Sequence, residues 1–462
     1  MLQSRETFAP APFFARKTVY QSALDLRQAP NILAARLHML SVCCHGILPS
    51  LGIHRSHVAS GVSALMTPNS PVGVIALVPD QWGSVWMPRQ QILTRLAHYF
   101  DVVWVNPPKN WRQYWTPAGP SFLERQEFAQ VAPQFTVMTP GKLRPHFYSS
   151  DLLRRFIFSR TLADARRYLQ RRGAKRIVLH LWRHDFLEAL DLVPHDISCY
   201  HIDDEYSFST VDLPNHPREV QLLRRADQVI VHSARLLEKK GGINPHTTLV
   251  PNGVDYAAFS TPQAEPPDLV SVPRPRIGYV GVIKKQLDLA LLVRVAHARP
   301  DWSLVMVGPI GHVSGKEQAL ADLRALPNVH FLGIKRLDAL PGYVQQMDVC
   351  LMCYDITDYT KYIYPLKLHE YLAAGRPSVA SPIEAVLDHA DVVMIARTEE
   401  QWLSGIASSL TPSPSGQAEV ARRQARARLY DWNALAERVA KLMLERLGSH
   451  HTSPPSLEES HA

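Results

Sequence analysis

Apolar residues along this chain fall into short unbroken runs separated by stretches of helical spacing, and that alternation sets the fold class. VGVIALV at 72–78 is a continuous apolar run rich in β-branched residues, the mark of a strand buried on both faces. A loop, PDQWGSVWMPR, follows it. Next come a helix with Ile92, Leu93, Leu96 and Ala97 at helical spacing and a second strand, VVWVN at 102–106. Strand, helix and parallel strand of these lengths form a right-handed βαβ unit. IVLHLW at 177–182, SCYHI at 198–202 and QVIVHS at 228–233 read as further strands of the same sheet, with a helix over 151–174 among them. Proline and polar residues then mark 256–275 as a linker. A second series starts at once: RIGYVGV from Arg276, a helix at about 286–298, SLVMVG at 303–308, a helix near 317–325 and HFLG at 330–333. It continues with a helix at 337–346, DVCLMC at 348–353, a helix at 366–374 and PSVAS at 377–381. Gly375 followed by Pro377 is a helix stop and then a strand start.

The expected fold class is therefore α/β, with two Rossmann-like domains facing a central cleft. Residues 1–70 form an N-terminal extension, punctuated by Pro49, Pro68 and Pro71, with helical patterns at about 16–28 and 30–43. The first domain spans 71–255, the linker 256–275 and the second domain 276–411. Residues 412–447 are Ala-, Arg- and Leu-rich C-terminal helices, and 448–462 reads as a disordered tail. Ligands of open α/β sheets bind outside the carboxyl ends of the strands, so the cleft is where chemistry is expected.

Composition narrows the partners. A chain of 462 residues with 46% hydrophobic and 20% charged positions can bury real cores, which excludes bulk disorder. Lys plus Arg number 50 against 42 acidic residues, a net charge of +8 that points to anionic partners. No lysine-rich tail is present and the excess is modest, so nucleic acid is not an expected partner. Five scattered cysteines make no disulfide framework and suit a reducing compartment. Cys350 and Cys353 form a CxxC inside an apolar run and read as core. No basic start with an apolar h-region and no stretch of about 18 apolar residues is found. The expectation is a cytoplasmic protein whose membrane contact, at the inner face, is peripheral. The stretch 151–174 carries seven basic residues beside Leu152, Leu153, Phe156, Ile157 and Phe158 and is the surface suited to anionic lipid.

The most informative stretch is TKYIYPLKLHEYLAAGRPSVASPIE at 360–384. Tyr364-Pro365 precedes a helix start, and a helix N-terminus offers free N–H groups and partial positive charge to phosphate. Lys367 adds a point charge. Glu370, one turn later, can accept hydrogen bonds from vicinal ribose hydroxyls. With Pro365, Lys367, Glu370, Tyr371 and Ala374-Gly375-Arg376-Pro377-Ser378-Val379, this stretch resembles the donor site of the two-Rossmann-domain (GT-B) glycosyltransferases. The likeness is to the large group that builds bacterial polysaccharides and lipopolysaccharides. That group places two Glu residues eight positions apart; Glu370 is the second, and Tyr362 stands where the first would be.

Three more stretches agree with the resemblance. LVPNGVDYAAF at 249–259 is similar to the family's crossing between domains, with Asn252-Gly253 as a turn. IGYVGVIKKQLD at 277–288 is similar to the first strand and loop of the donor domain. There Gly281 lets the backbone approach a phosphate, Val282 replaces the usual Arg, and Lys284 or Lys285 can supply a phosphate contact. MVGPIG at 306–311 would be the next strand end, with Gly308 and Pro309 in a loop facing the cleft. The resemblance implies a hexosyltransferase using a UDP- or GDP-sugar, with no tightly bound cofactor and no metal. The acceptor would be a glycan or lipid-linked glycan in envelope or polysaccharide assembly. Donor contacts would come from Gly281, Lys284, Lys285, Gly308, Pro309, Lys335, Thr360, Tyr364, Pro365, Lys367 and Glu370.

In the first domain HIDDEYS at 201–207 follows an apolar strand, which sets His201, Asp203 and Asp204 at a strand's carboxyl end. A carboxylate there can deprotonate an acceptor hydroxyl or stabilise positive charge on a sugar ring. His184, in HLWRHD, flanks the same edge. Trp82, Gly83 and Trp86 form the loop that would face the acceptor, with the tryptophans able to stack on sugar rings. Two other readings fit the same fold: a sugar-nucleotide epimerase, and a non-catalytic nucleotide-sugar binding protein.

Overall fold

The computed structural model describes residues 71–83, 86–108, 115–116, 119–120, 127–141, 151–206, 214–412 and 414–449. The expected extension over 1–70, with Cys43 and Cys44, lies outside the described residues, as does the expected tail over 448–462 except for Gly448 and Ser449, which continue the last helix.

Two sheets organise the rest. The first contains β1 (Val72–Leu77), β2 (Asp101–Val105), β3 (Glu127–Ala132), β4 (Phe135–Thr139), β5 (Arg176–Leu181), β6 (Ile197–Ile202), β7 (Gln228–Val231) and β8 (Thr247–Leu249). Its order is β8-β7-β6-β5-β1-β2-β4-β3, and only the edge strand β3 runs antiparallel to its neighbour. The second contains β9 (Arg276–Val280), β10 (Ser303–Val307), β11 (Val329–Gly333), β12 (Val349–Met352), β13 (Ser378–Ala380) and β14 (Met394–Ile395). Its order is β11-β10-β9-β12-β13-β14, parallel throughout. The longer helices are α1 (Pro88–Leu96), α2 (Asp151–Arg171), α3 (Pro217–Arg225), α4 (Ala234–Lys240), α5 (Leu289–Ala298), α6 (Glu317–Ala325), α7 (Leu340–Gln345), α8 (Leu366–Ala373), α9 (Glu399–Leu410), α10 (Gly416–Arg428) and α11 (Trp432–Ser449).

The unbroken apolar runs have the meaning their pattern suggests. Val72, Val74 and Ala76 of β1 join one core cluster, while Ile75 and Leu77 join another on the opposite face. A period of two therefore splits one run between two helical layers. Cys350 and Cys353 are both fully buried in the second domain's core, where burial pushes their thiols up. Gly375 takes φ +71 after α8, and Arg376 N–H donates to the Tyr371 carbonyl as a helix-ending motif.

The C-terminal stretch differs from a simple appendage to the second domain. It breaks at Leu429–Asp431 into α10 and α11. The apolar face of α11, from Trp432 through Leu447, packs with α1 and the first sheet in one cluster. The chain thus crosses between domains twice, at 250–256 and at 429–432. Val254 N–H donates to the Tyr430 carbonyl at 2.9 Å, and Trp432 N–H returns a bond to the Val254 carbonyl at 3.0 Å.

Candidate active site

The amino end of α8 gathers groups from both domains. Lys367 lies on its first turn and donates to the Tyr354 hydroxyl at 2.8 Å, with its ammonium 5.1 Å from the centre of the Tyr279 ring. A side chain at Gly281 would sit 3.1 Å from Lys367 Cε and 3.3 Å from its Nζ, and Gly281 holds φ +147. Glycine at 281 leaves room for this close approach of the β9 loop to Lys367 and takes a φ that side chains rarely adopt. Lys284, from that loop, is half-buried. Desolvation depresses its pKa, the Lys367 ammonium depresses it further, and Asp204 opposes both. Two cations therefore lie close together at a helix N-terminus, an arrangement that favours an anion between them.

Glu370 lies one turn further along α8. Among the described residues no group donates a hydrogen bond to its carboxylate. Desolvation pushes its pKa up to about 7 against the pull of Lys367. Asp204 accepts from the Tyr359 hydroxyl at 3.0 Å and from Glu205 N–H at 2.8 Å. Burial, reinforced by Asp203, pushes Asp204 up to about 6, opposed by Tyr359 and Lys284. Asp204 comes from the first domain, Tyr359 and Lys284 from the second, so this carboxyl sits on the seam between them.

Arg89 lies behind Asp204. It is buried and ion-paired to both Asp80 and Asp203, and the Tyr206 hydroxyl donates to Asp203 at 2.5 Å. Asp203 is thus engaged by the protein itself and fixes the turn that presents Asp204. Deeper still, the fully buried Lys240 ammonium donates to Glu219 at 2.6 Å and pairs with Glu205 at 3.3 Å, and Tyr200 also donates to Glu219.

Several expected residues take other roles. His201 shares its strand face with Cys199 and stacks on Trp182 at 4.1 Å. It is buried, with its pKa pushed far down by desolvation, and is packed in the core. His184 is likewise mostly buried and stacks on His216 at 4.9 Å. Thr360 is buried, and its hydroxyl ties the 355–360 loop by donating to the Asp355 carbonyl. Lys335 is held by Asp268 of the linker at 2.6 Å and lies over Tyr343. Lys285 is exposed, and Lys284 is the one that faces Asp204.

Gly308 owes its identity to packing: a side chain there would strike the Gly281 carbonyl at 2.1 Å. The Pro309 carbonyl accepts from Ile283 N–H and so fixes the lysine-bearing loop. Pro365 caps α8, while Tyr364 turns into the joint between domains. There its hydroxyl meets His369 at 3.0 Å and its carbonyl accepts from Asn252. On the opposite wall Trp82 packs against Trp104 and Phe135 as part of the core edge. Trp86 is 37% exposed, and Gly83 occupies φ +89 in open space. Arg89 and His232 escaped the sequence reading, because their partners are distant in the chain. His232 Nδ1 lies 3.1 Å from the Ile202 carbonyl, and its ring meets that of Tyr364 edge-on.

Comparison with known proteins places the fold first. The structure matches sucrose-phosphate synthase of Thermosynechococcus elongatus with a TM-score of 0.60 at 16% identity, covering 82% of this chain and 99% of that one. It matches Anabaena HepE, solved in complex with UDP and glucose, with a TM-score of 0.55 at 14% identity, covering 81% and 99%. The fold is therefore that of the GT-B glycosyltransferases. In sequence, residues 274–411 match the family described as "Glycosyl transferases group 1". A putative teichuronic acid biosynthesis glycosyltransferase of Bacillus subtilis (strain 168) is 33% identical over 171 residues, 35% of this chain. The chain spans 42% of that relative's length.

Proposed function

We propose that this protein is a glycosyltransferase that moves a hexose from a UDP- or GDP-sugar to a glycan or lipid-linked glycan in polysaccharide or cell-envelope assembly. The observation that carries the reading is the closeness of Lys284 and Lys367 at the amino end of α8, one turn before a carboxylate to which no group among the described residues donates. The diphosphate would lie on Lys284, Lys367, the Gly281 loop and the helix N-terminus, and the ribose hydroxyls on Glu370. Asp204, with a carboxyl near the operating pH, would take the proton of the acceptor hydroxyl as its oxygen attacks the anomeric carbon and the nucleoside diphosphate leaves. Arg89 would hold Asp203 and with it the turn that bears Asp204. Trp86 would offer its face to the acceptor.

The neighbours bound to UDP support a nucleoside diphosphate donor, and the teichuronic acid relative supports an envelope glycan acceptor. Leu152 and Phe156 stand 83% and 54% exposed on α2 beside the exposed Arg155 and Arg160, which supports peripheral contact with anionic lipid. No described helix is long and apolar enough to cross a membrane.

The test is calorimetric titration of UDP and GDP into the wild-type chain and into Lys284→Met. One of the two nucleotides should bind to the wild type. The variant should lose about 1.5–3 kcal/mol, the range for a hydrogen bond to a charged group. Equal affinity of the two proteins would remove Lys284 from the donor site. Binding of neither nucleotide would overturn the reading.

A further inference from the structure

The first domain holds a cavity of about 140 Å³ that none of the donor chemistry uses. It opens across the carboxyl ends of β5, β1, β2 and β4 and is closed on one side by α2. Its walls are chiefly apolar: Leu77, Val78, Val105, Pro108, Ile157 and Phe158, with Phe186 and Pro140 completing the rim. Arg154 reaches it, but its guanidinium is already paired with Glu188. A hexose would leave most of its hydroxyls without partners in such a space, at a cost of several lost hydrogen bonds. An apolar cavity of roughly 150 Å³ takes one benzene-sized group, about six carbons.

Position links the cavity to the candidate active site. Val78 lies two residues before Asp80, which with Asp203 holds Arg89. Asn106, also in the wall, accepts from Trp82 N–H at 2.8 Å and so joins the cavity to the tryptophan loop.

We propose that this cavity binds the apolar part of the acceptor, an alkyl or isoprenyl segment of about six carbons, while the hydroxyl to be glycosylated lies toward Asp204. The inference rests on the glycosyltransferase reading for its role, but the binding itself does not depend on transfer. The acceptor class it selects is an amphiphile and not a free sugar. Only a short segment fits, so the remainder of a long chain must leave by the cavity mouth.

The experiment is a ligand-observed NMR titration of the full chain with n-alkyl glucosides from butyl to octyl, below their micelle concentrations. Each added methylene should tighten binding about fourfold, from a transfer free energy of about 0.8 kcal/mol per CH₂. The gain should stop near six carbons. Ile157→Trp, at a half-buried wall position, should abolish the chain-length dependence while UDP binding persists as proof of the fold. Phe158→Ala should move the break to longer chains and serves if the first variant does not fold. Absence of chain-length dependence in the wild type overturns the proposal. So does a rise that continues unbroken to octyl, or one that both variants leave unchanged, since either marks partition onto the surface. Octyl glucoside binding without UDP binding would leave the cavity standing and remove the transferase reading, whereas UDP binding without alkyl binding would do the reverse.

Discussion

Burial acts in the same direction on Glu370 and Asp204, the two carboxyls to which the proposed function gives different tasks. Burial raises both, Glu370 to about 7 and Asp204 to about 6. A carboxyl raised in the folded chain binds its proton more tightly there than when unfolded. Both groups therefore make the ligand-free protein less stable as pH rises from about 4 to about 7. For Glu370 the proposed donor would reverse this preference. Ribose hydroxyls would donate to the ionised form, so donor binding should release a proton, and affinity for UDP should weaken as pH falls below about 7, by up to tenfold per unit. Glu370→Gln should bind more weakly at pH 8 and lose this pH dependence, whereas Asp204→Asn should keep it. Calorimetry with UDP at pH 6, 7 and 8 checks the point. Wild-type and Glu370→Gln profiles that run parallel would remove Glu370 from the ribose. Lys367 and Glu370 were legible in the sequence because they stand three apart on one helix and share a face. Arg89 was not, because the Asp203 it holds lies 114 residues away.

At the scale of elements, the segment 355–366 explains what replaces the first acidic residue of the glycosyltransferase pattern. Tyr362 is a core residue. It is buried in the first domain's core cluster although it belongs to the second domain, with the Lys239 ammonium 5.0 Å from its ring centre. Tyr359 and Tyr364 flank it with contacts to Asp204 and His232. The position where the resemblance implies a carboxylate is here a wedge between domains. Tyr362→Ala should cost ~3–5 kcal/mol, the range for removing a buried aromatic side chain, and chemical denaturation should show the lower midpoint. An unchanged midpoint would mean that the wedge carries no load.

Which elements could be read in advance follows from burial. Runs such as VGVIAL and VCLM are covered on both faces and read at once. β3 is exposed along most of its length and β8 has three residues, so neither leaves an apolar signature. The direction of α11 was hidden for another reason. Its apolar spacing announces a buried face but not which domain covers it.

At the scale of the whole molecule, the two crossings decide how the domains are joined. The chain leaves the first domain through Asn252-Gly253-Val254 and returns through Tyr430-Asp431-Trp432, and the two segments lie side by side, bonded in both directions. Asn252-Gly253 had the look of an ordinary turn, but the glycine has a more specific cause. A side chain at 253 would lie 2.4 Å from the Tyr430 carbonyl oxygen and 2.7 Å from Leu435 Cδ1, so only glycine lets the two crossings touch. The neighbour it would strike is backbone, which cannot rotate aside as a flexible side chain can. Gly253→Ala should therefore push the crossings apart, loosen α11 from the first sheet and weaken the tie between domains, while leaving each sheet intact. Differential scanning calorimetry should show a lower first transition and a separation of the two domains' unfolding, with UDP still raising the transition of the second. A single transition at the wild-type temperature would show that the crossings tolerate separation, and that α11 alone is sufficient to hold the two domains as one unit.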